Sequence, residues 1–306
     1  MKVLITGGAG FIGSNIADLL IKEGNKVVIF DNLSSGKKEN INAKAKFYKG
    51  DIKDKKRVFE VFKKEKPEII IHNAAQIDVR KSVADPVYDA QINILGSINV
   101  LSACVEYKAK KVIFASSGGT IYGECGKIAP DEKAFPNPLS PYGIAKHSVE
   151  NYIKFFNAIY GLKYTILRYA NVYGPRQDPH GEAGVVAIFS NAMLSNGDIK
   201  VFGDGKQTRD YVFVGDVAAA NLKSLKKGDN EIVNIGTTRL VSVNDLIRIM
   251  SKPARYLKKP NILPKRAGEL FRSFLNIKKA QKVLGWKPTI SIEDGIKKTI
   301  EFFKFQ

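Results

Sequence analysis

The 306 residues carry 49 Lys and Arg against 30 Asp and Glu, a formal charge of +19, with 44% hydrophobic and 26% charged residues. This balance suits a chain that buries a sizeable core, and two cysteines, Cys104 and Cys125, exclude a disulfide scaffold and fit a reducing compartment. Basic residues run along the whole chain without gathering in a tail or interleaving with aromatics. The charge therefore reads as a solvated surface or as attraction for a small anionic substrate, and no nucleic acid is expected as a partner.

Three histidines with no Cys/His cluster give no reason to expect a metal. No apolar run approaches the roughly 20 residues that span a bilayer, and the amino terminus runs straight into strand-like sequence without a signal-peptide pattern. The expectation is a cytoplasmic protein that engages no membrane.

Short β-branched and aromatic runs at Val3–Ile5, Val27–Phe30, Lys46–Tyr48, Ile69–His72, Lys111–Ala115 and Tyr164–Arg168 predict strands. Amphipathic stretches at Ile12–Glu23, Lys55–Lys64, Gln91–Tyr107 and Tyr142–Tyr160 alternate with them and predict helices. That alternation implies an α/β fold, a Rossmann-type doubly wound parallel sheet with helices on both faces. Beyond about Ala170, loops rich in Gly, Pro and Asp appear at 174–184 and 203–210. Strand-like Tyr211–Val214 and Glu231–Ile235 flank helical Asp216–Lys226, and a last helix covers Ile292–Phe303. We expect residues 1–170, with 211–238 returning to them, to form a dinucleotide-binding domain. Residues 171–210 and 239–306 would then form a smaller, interwoven carboxy-terminal lobe.

The first strand leads into Thr6-Gly-Gly-Ala-Gly-Phe-Ile-Gly13, with Gly7, Gly10 and Gly13 spaced by three. Glycines there permit a tight turn and close approach of backbone to a pyrophosphate, which the following helix amino terminus at Phe11, Ile12 and Gly13 would hold. The second strand ends in Asp31, about twenty residues on, where a carboxylate accepts from ribose hydroxyls. It would also repel a 2′-phosphate, so NAD is expected rather than NADP. Asp51 and Ile52, after the third strand, are candidates for the adenine edge, although Asp51 also reads as an ordinary loop aspartate.

Tyr142 and Lys146 stand at i and i+4, on one helix face. A free phenol is a poor base at neutral pH, and a neighbouring ammonium with a positive nicotinamide ring is expected to lower its pKa. Ser116-Ser117-Gly118-Gly119-Thr120 follows the fifth strand, at the sheet edge where such folds bind ligands. A hydroxyl there could meet both the substrate and Tyr142.

With Asp31-Asn-Leu-Ser-Ser-Gly36, His72-Asn-Ala-Ala-Gln76, Arg168-Tyr-Ala-Asn-Val-Tyr-Gly-Pro-Arg176 and the run Gly203–Asp216, the chain resembles the extended short-chain dehydrogenase/reductases over almost its whole length. Within that NAD-dependent epimerase/dehydratase family it is most similar to the UDP-glucose 4-epimerases. The resemblance implies NAD as cofactor and a UDP-sugar as substrate. C4 would be oxidised and re-reduced on its other face, with Tyr142, Lys146 and Ser117 catalytic. It implies cofactor contacts at Asn32, Ser35, Gly36, Ala74, Ala75, Gln76, Asn93 and Tyr169. Asn171, Arg209 and Arg266 would take the diphosphate, and Phe202 the uracil. Val185 and Val186 would lie on a loop closing over the nucleotide, with Glu269 and Ser273 near the sugar. A homodimer pairing helices 91–107 and 142–160 is also implied.

Gly118 departs from a pattern that often places Ser or Thr there, which leaves Ser117, which we favour, or Thr120 as the assisting hydroxyl. Related 4,6-dehydratases and decarboxylases place carboxylates in this loop, where this chain has Gly118-Gly119. Serine at 273, where a large aromatic would block an N-acetyl group, suggests that UDP-GlcNAc and UDP-GalNAc are accepted as well. A 4-epimerase of another nucleotide sugar, such as a uronic acid, a sugar-nucleotide dehydratase and a non-catalytic NAD-binding protein are the alternatives.

Overall fold

A computed structural model describes residues 1–180, 184–266 and 270–305. Its framework is a seven-stranded, wholly parallel sheet. In chain order the first six strands are β1 (Lys2–Thr6), β2 (Lys26–Asp31), β3 (Lys46–Lys49), β4 (Ile69–His72), β5 (Lys111–Ser117) and β6 (Lys163–Tyr169). Glu231–Ile235 is the seventh, and the spatial order is Glu231–Ile235, β6, β5, β4, β1, β2, β3. The strand order reverses between β1 and β4, which opens a crevice at the carboxyl ends of those strands, the place where such sheets bind ligands.

The near-continuous apolar strands follow from burial on both faces. Val3, Ile5, Val27, Ile29, Ile69 and Ile71 point into one core with Ile16, Ala17 and Leu20 of helix Phe11–Lys22. The alternate residues Leu4, Val28, Phe30 and Ile70 point into the other, with Val58 and Phe62 of helix Lys55–Glu65.

The helix Pro141–Tyr160 is framed by local chemistry. Ser140 Oγ accepts from the Gly143 amide at 3.1 Å, Pro141 occupies the first turn, and Gly161 ends the helix at φ 70°. The helix expected from Gln91 starts earlier. Pro86–Ala90 runs into a π-helical turn, Gln91–Gly96, and then into Ser97–Glu106.

The later part of the chain differs from the simple alternation. Glu231–Ile235 completes the large sheet beside β6, whereas Tyr211–Phe213 pairs with Asn171–Tyr173 in a separate two-stranded ribbon. Helices Val185–Leu194, Val243–Ala254 and Ile292–Lys304 gather a third core from Val186, Phe189, Met193, Leu246, Ile296 and Ile300. Trp286 and Leu275 instead join the core beneath the large sheet, and Trp286 Nε1 donates to the Asp216 carbonyl at 2.9 Å. Among the described residues no helix is long and apolar enough to cross a membrane.

Candidate active site

The glycine turn between β1 and helix Phe11–Lys22 is built for close approach. Gly10 precedes that helix with no side-chain cap, so the first-turn amides at Phe11, Ile12 and Gly13 remain open to an anion. A Cβ at Gly13 would collide with the Gly7 carbonyl oxygen, which excludes any other residue there.

Asp31, at the end of β2, accepts from the Ala9 amide at 2.9 Å and the Leu33 amide at 2.8 Å. The turn beyond it carries Asn32, Ser35 and Gly36, and Asn32 Nδ2 donates to Asp51 Oδ2 at 3.1 Å. Ile52 is buried against Gly96. The Asp31, Asp51 and Gly13 regions thus converge at one edge of β1 and β2. An uncapped helix end faced by a carboxylate turn is a cradle that fits an NAD pyrophosphate and adenosine ribose.

After β4, Ala74, Ala75 and Gln76 pass along the same edge. The Gln76 amide donates to Asn93 Oδ1 at 2.9 Å, and Asn93 Nδ2 returns a bond of 2.9 Å to the Gln76 carbonyl. Beneath them lies a chain with one consistent set of donors. Ser97 Oγ donates to the Asn93 carbonyl, so it accepts from His72 Nε2, and His72 Nδ1 in turn accepts from Thr6 Oγ1 at 2.6 Å. His72 is a neutral imidazole: burial, aided by the Lys146 charge, holds its pKa down at about 3.

Tyr142 and Lys146 project from one side of helix Pro141–Tyr160, with the Lys146 ammonium 5.7 Å from the Tyr142 ring centre. Lys146 Nζ donates to the Ala115 carbonyl of β5 at 2.9 Å, which binds the helix to the sheet edge and leaves two ammonium hydrogens for other acceptors. Burial lowers the Lys146 pKa to about 8 against the pull of Asp89 and Glu150.

The Tyr142 phenol is not acidic in the protein alone. Burial first, and then the Asp89 carboxylate, raise its pKa above the ordinary phenol value. The Lys146 ammonium therefore does not by itself make this phenol a base in the protein alone.

Ser117 ends β5 and is partly exposed. A Cβ at Gly119 would lie 3.9 Å from Ser117 Oγ and 3.7 Å from Asn171 Oδ1, so these two polar groups flank one open spot. Thr120 Oγ1 is closed off from solvent with no hydrogen-bond partner, and Ser116 Oγ is committed to Glu150 at 2.6 Å. Of the three hydroxyls, Ser116 is thus taken up by the fold, and Ser117 is the one open to solvent.

The residues expected on the substrate side are brought together unevenly. The Arg266 guanidinium stacks on the Phe202 ring at 3.5 Å from its centre. Arg209 and Ser273 lie on adjacent, parallel two-residue strands, Thr208–Arg209 and Arg272–Ser273, and Ser273 is buried. Glu124 ties this unit to the segment after β5 by accepting from the amides of Phe271 and Arg272 at 2.7 and 2.8 Å. Val185 and Val186 do not sit on a loop. They open helix Val185–Leu194, and Val186 is buried in the third core because the run Val-Val-Ala-Ile-Phe supplies its apolar face. The Tyr169 hydroxyl is committed to the fold, accepting from Asn221 Nδ2 at 2.8 Å. Glu269 lies outside the described residues.

Sequence reasoning missed Asp89, Glu150 and Arg168. Glu150 is 0% and Arg168 2% exposed, one turn and one strand away from Lys146. Glu150 at i+4 from Lys146 was a readable signal, whereas its pairing with Arg168 of β6 depends on the fold.

A sequence profile described as the NAD dependent epimerase/dehydratase family matches residues 3–236. A UDP-glucose 4-epimerase of Mycolicibacterium smegmatis is 42% identical over 310 residues, covering 99% of each chain. A Thermotoga maritima UDP-glucose 4-epimerase solved with UDP-glucose superposes with TM-score 0.98 at 51% identity, covering 100% of this chain and 99% of that one. A Thermus thermophilus UDP-glucose 4-epimerase solved with NAD gives TM-score 0.95 at 41% identity, covering 99% of each.

Proposed function

The chain belongs to the NAD dependent epimerase/dehydratase family, and from that premise we propose that it is an isomerase interconverting UDP-glucose and UDP-galactose at C4. The observation that carries this reading is the Tyr142–Lys146 pair, fixed to the end of β5 through Ala115 and standing beside Ser117 and the glycine cradle. The full-length similarity to UDP-glucose 4-epimerases supports it.

Bound NAD+ supplies a reversible hydride acceptor and a positive ring. The amides at Phe11, Ile12 and Gly13 with Asp31 would hold its pyrophosphate and ribose, and Gln76 and Asn93 would line its path. Tyr142 as phenolate accepts the proton of the sugar 4-hydroxyl and later returns it. Lys146 keeps that phenolate oriented and charge-balanced, and Ser117 hydrogen-bonds the same sugar oxygen. Asn171, Arg209 and Arg266 would keep the diphosphate in place while the 4-keto sugar turns over, which a forked guanidinium does well. Phe202 would offer its ring to the uracil in exchange for Arg266. Directly after Ser117 stand Gly118 and Gly119, with no carboxylate at either position, so the acid–base group that dehydration or decarboxylation needs there is missing.

Residues 1–170 with 211–238 and residues 171–210 with 239–306 act in this reading as cofactor and substrate lobes. A large residue at 273 would close the sugar site to an N-acetyl group, so the small Ser273 supports acceptance of UDP-GlcNAc and UDP-GalNAc. Exposed apolar Val83, Val87, Leu95, Ile144, Phe155 and Ile159 on the helices from 79 to 106 and 141 to 160 support a homodimer. The free, buried Cys104 and Cys125 support a cytoplasmic location.

Incubating the purified protein with UDP-glucose, UDP-galactose, their N-acetyl counterparts and UDP-glucuronate, without added NAD, tests the proposal. Interconversion of the first pair is expected. Loss of water, or turnover of the uronic acid alone, would overturn it.

A further inference from the structure

We infer that Asp89 is a positioning residue for this reaction, a buried carboxylate that fixes Asn93 and Gln76 and sets the charge balance of the Tyr142–Lys146 pair; the inference rests on the epimerase reading. Asp89 is 1% exposed, on the short helix Pro86–Ala90 that runs into the π turn carrying Asn93. π turns within longer helices often mark functional positions, because they swing side chains off the regular face. Here Asp89 Oδ1 accepts from Asn93 Nδ2 and from Gln76 Nε2, both at 2.9 Å. A carboxylate only accepts, so the Asn93 amide has one allowed orientation, with its nitrogen towards Asp89 and its oxygen on the Gln76 amide.

Two neutral amides would be served as well by a neutral acceptor, and burying a charge is costly. What a carboxylate adds is its sign. Helix Pro141–Tyr160 packs against Pro86–Ala90, and the groups on it whose charge Asp89 affects are Lys146 and Tyr142. Glu150 also acts on Lys146 from the same helix, while His72 on β4 is neutral, and Gln76 and Asn93 carry no charge. Asp89 opposes the loss of the Lys146 proton and opposes ionisation of Tyr142. With Glu150 it helps keep the ammonium charged in a buried site, and it adds to the burial that keeps the phenol protonated.

Asp89→Ala would strand two buried amides and can fail to fold, so the test uses Asp89→Asn, which preserves shape and removes charge. Removing a negative neighbour lowers the pKa of both Tyr142 and Lys146, so both limbs of the kcat/KM profile for UDP-galactose should move to lower pH by about 0.5 to 1 unit. A second readout needs no turnover: the phenolate absorbance of Tyr142, taken as the difference from Tyr142→Phe, should titrate lower in Asp89→Asn by a similar shift. Profiles and titrations that coincide with wild type would overturn the inference even if turnover falls, since a lost packing contact slows the reaction without moving either curve. A wild-type protein inactive on UDP-galactose would instead sink the epimerase reading, and the phenolate titration would still decide the part played by Asp89.

Discussion

Glu150 and Arg168 meet in a two-point ion pair, Nε to Oε1 at 2.9 Å and Nη2 to Oε2 at 2.5 Å, with both side chains almost wholly out of water. Arg168 Nη1 donates onward to the Tyr122 hydroxyl, which donates to Asn234 Oδ1. The helix of Tyr142, strand β6 and strand Glu231–Ile235 are joined through this pair. Burial disfavours the Glu150 charge, but hydrogen bonds from Arg168 and Ser116 and the Arg168 charge hold its pKa at about 2.

Removing one partner leaves the other buried and unpaired. Glu150→Ala should destabilise the protein by about 3 to 5 kcal/mol, measured by urea unfolding at pH 7. Because the folded pKa is depressed, the contribution of Glu150 is present above its unfolded value of 4.5 and is lost as pH falls towards 2. An effect under about 1 kcal/mol would show that the pair is dispensable.

His72 predicts a second acid limb at higher pH. Its folded pKa is depressed to about 3, so the unfolded chain takes up a proton below 6.5 that the buried ring refuses. Stability should decline between pH 6.5 and 3, by at most about 1.4 kcal/mol per pH unit from this group. His72→Gln should flatten that part of the curve; an unchanged slope in the variant would contradict the assignment.

Tyr142→Phe removes the proposed base without changing the packing. Turnover of UDP-galactose should drop at least about a hundredfold, while co-purified NAD, measured by absorbance after acid release, stays at the wild-type level. Substantial residual turnover would move the base elsewhere.

Gly118 has a steric reason. A Cβ there would lie 2.6 Å from Leu275 Cδ1 and 2.8 Å from Cδ2. Gly118→Ser should lower stability by about 1 to 3 kcal/mol, and Leu275→Ala in the same chain should recover part of the loss. Additive losses in thermal unfolding would mean that the two positions do not meet.

The nucleotide half was legible because its signals are local. Short apolar runs bounded by turns, a glycine turn before a helix, a carboxylate ending β2, and Ser140-Pro141 opening the helix of Tyr142 each act within a few residues of one another. Tyr142 and Lys146 could be paired by helical spacing alone.

What spacing could not supply is the environment in which those groups titrate. The pairing of Glu150 with Arg168 spans a helix and a strand, the network around Asp89 spans three segments, and Leu275 reaches Gly118 from 157 positions along the chain, the difference of their residue numbers. The chain order by itself determined which residues could do the chemistry. Only the tertiary structure decided the charge each one holds, because burial and the sign of the neighbouring group are properties of packing that act through space.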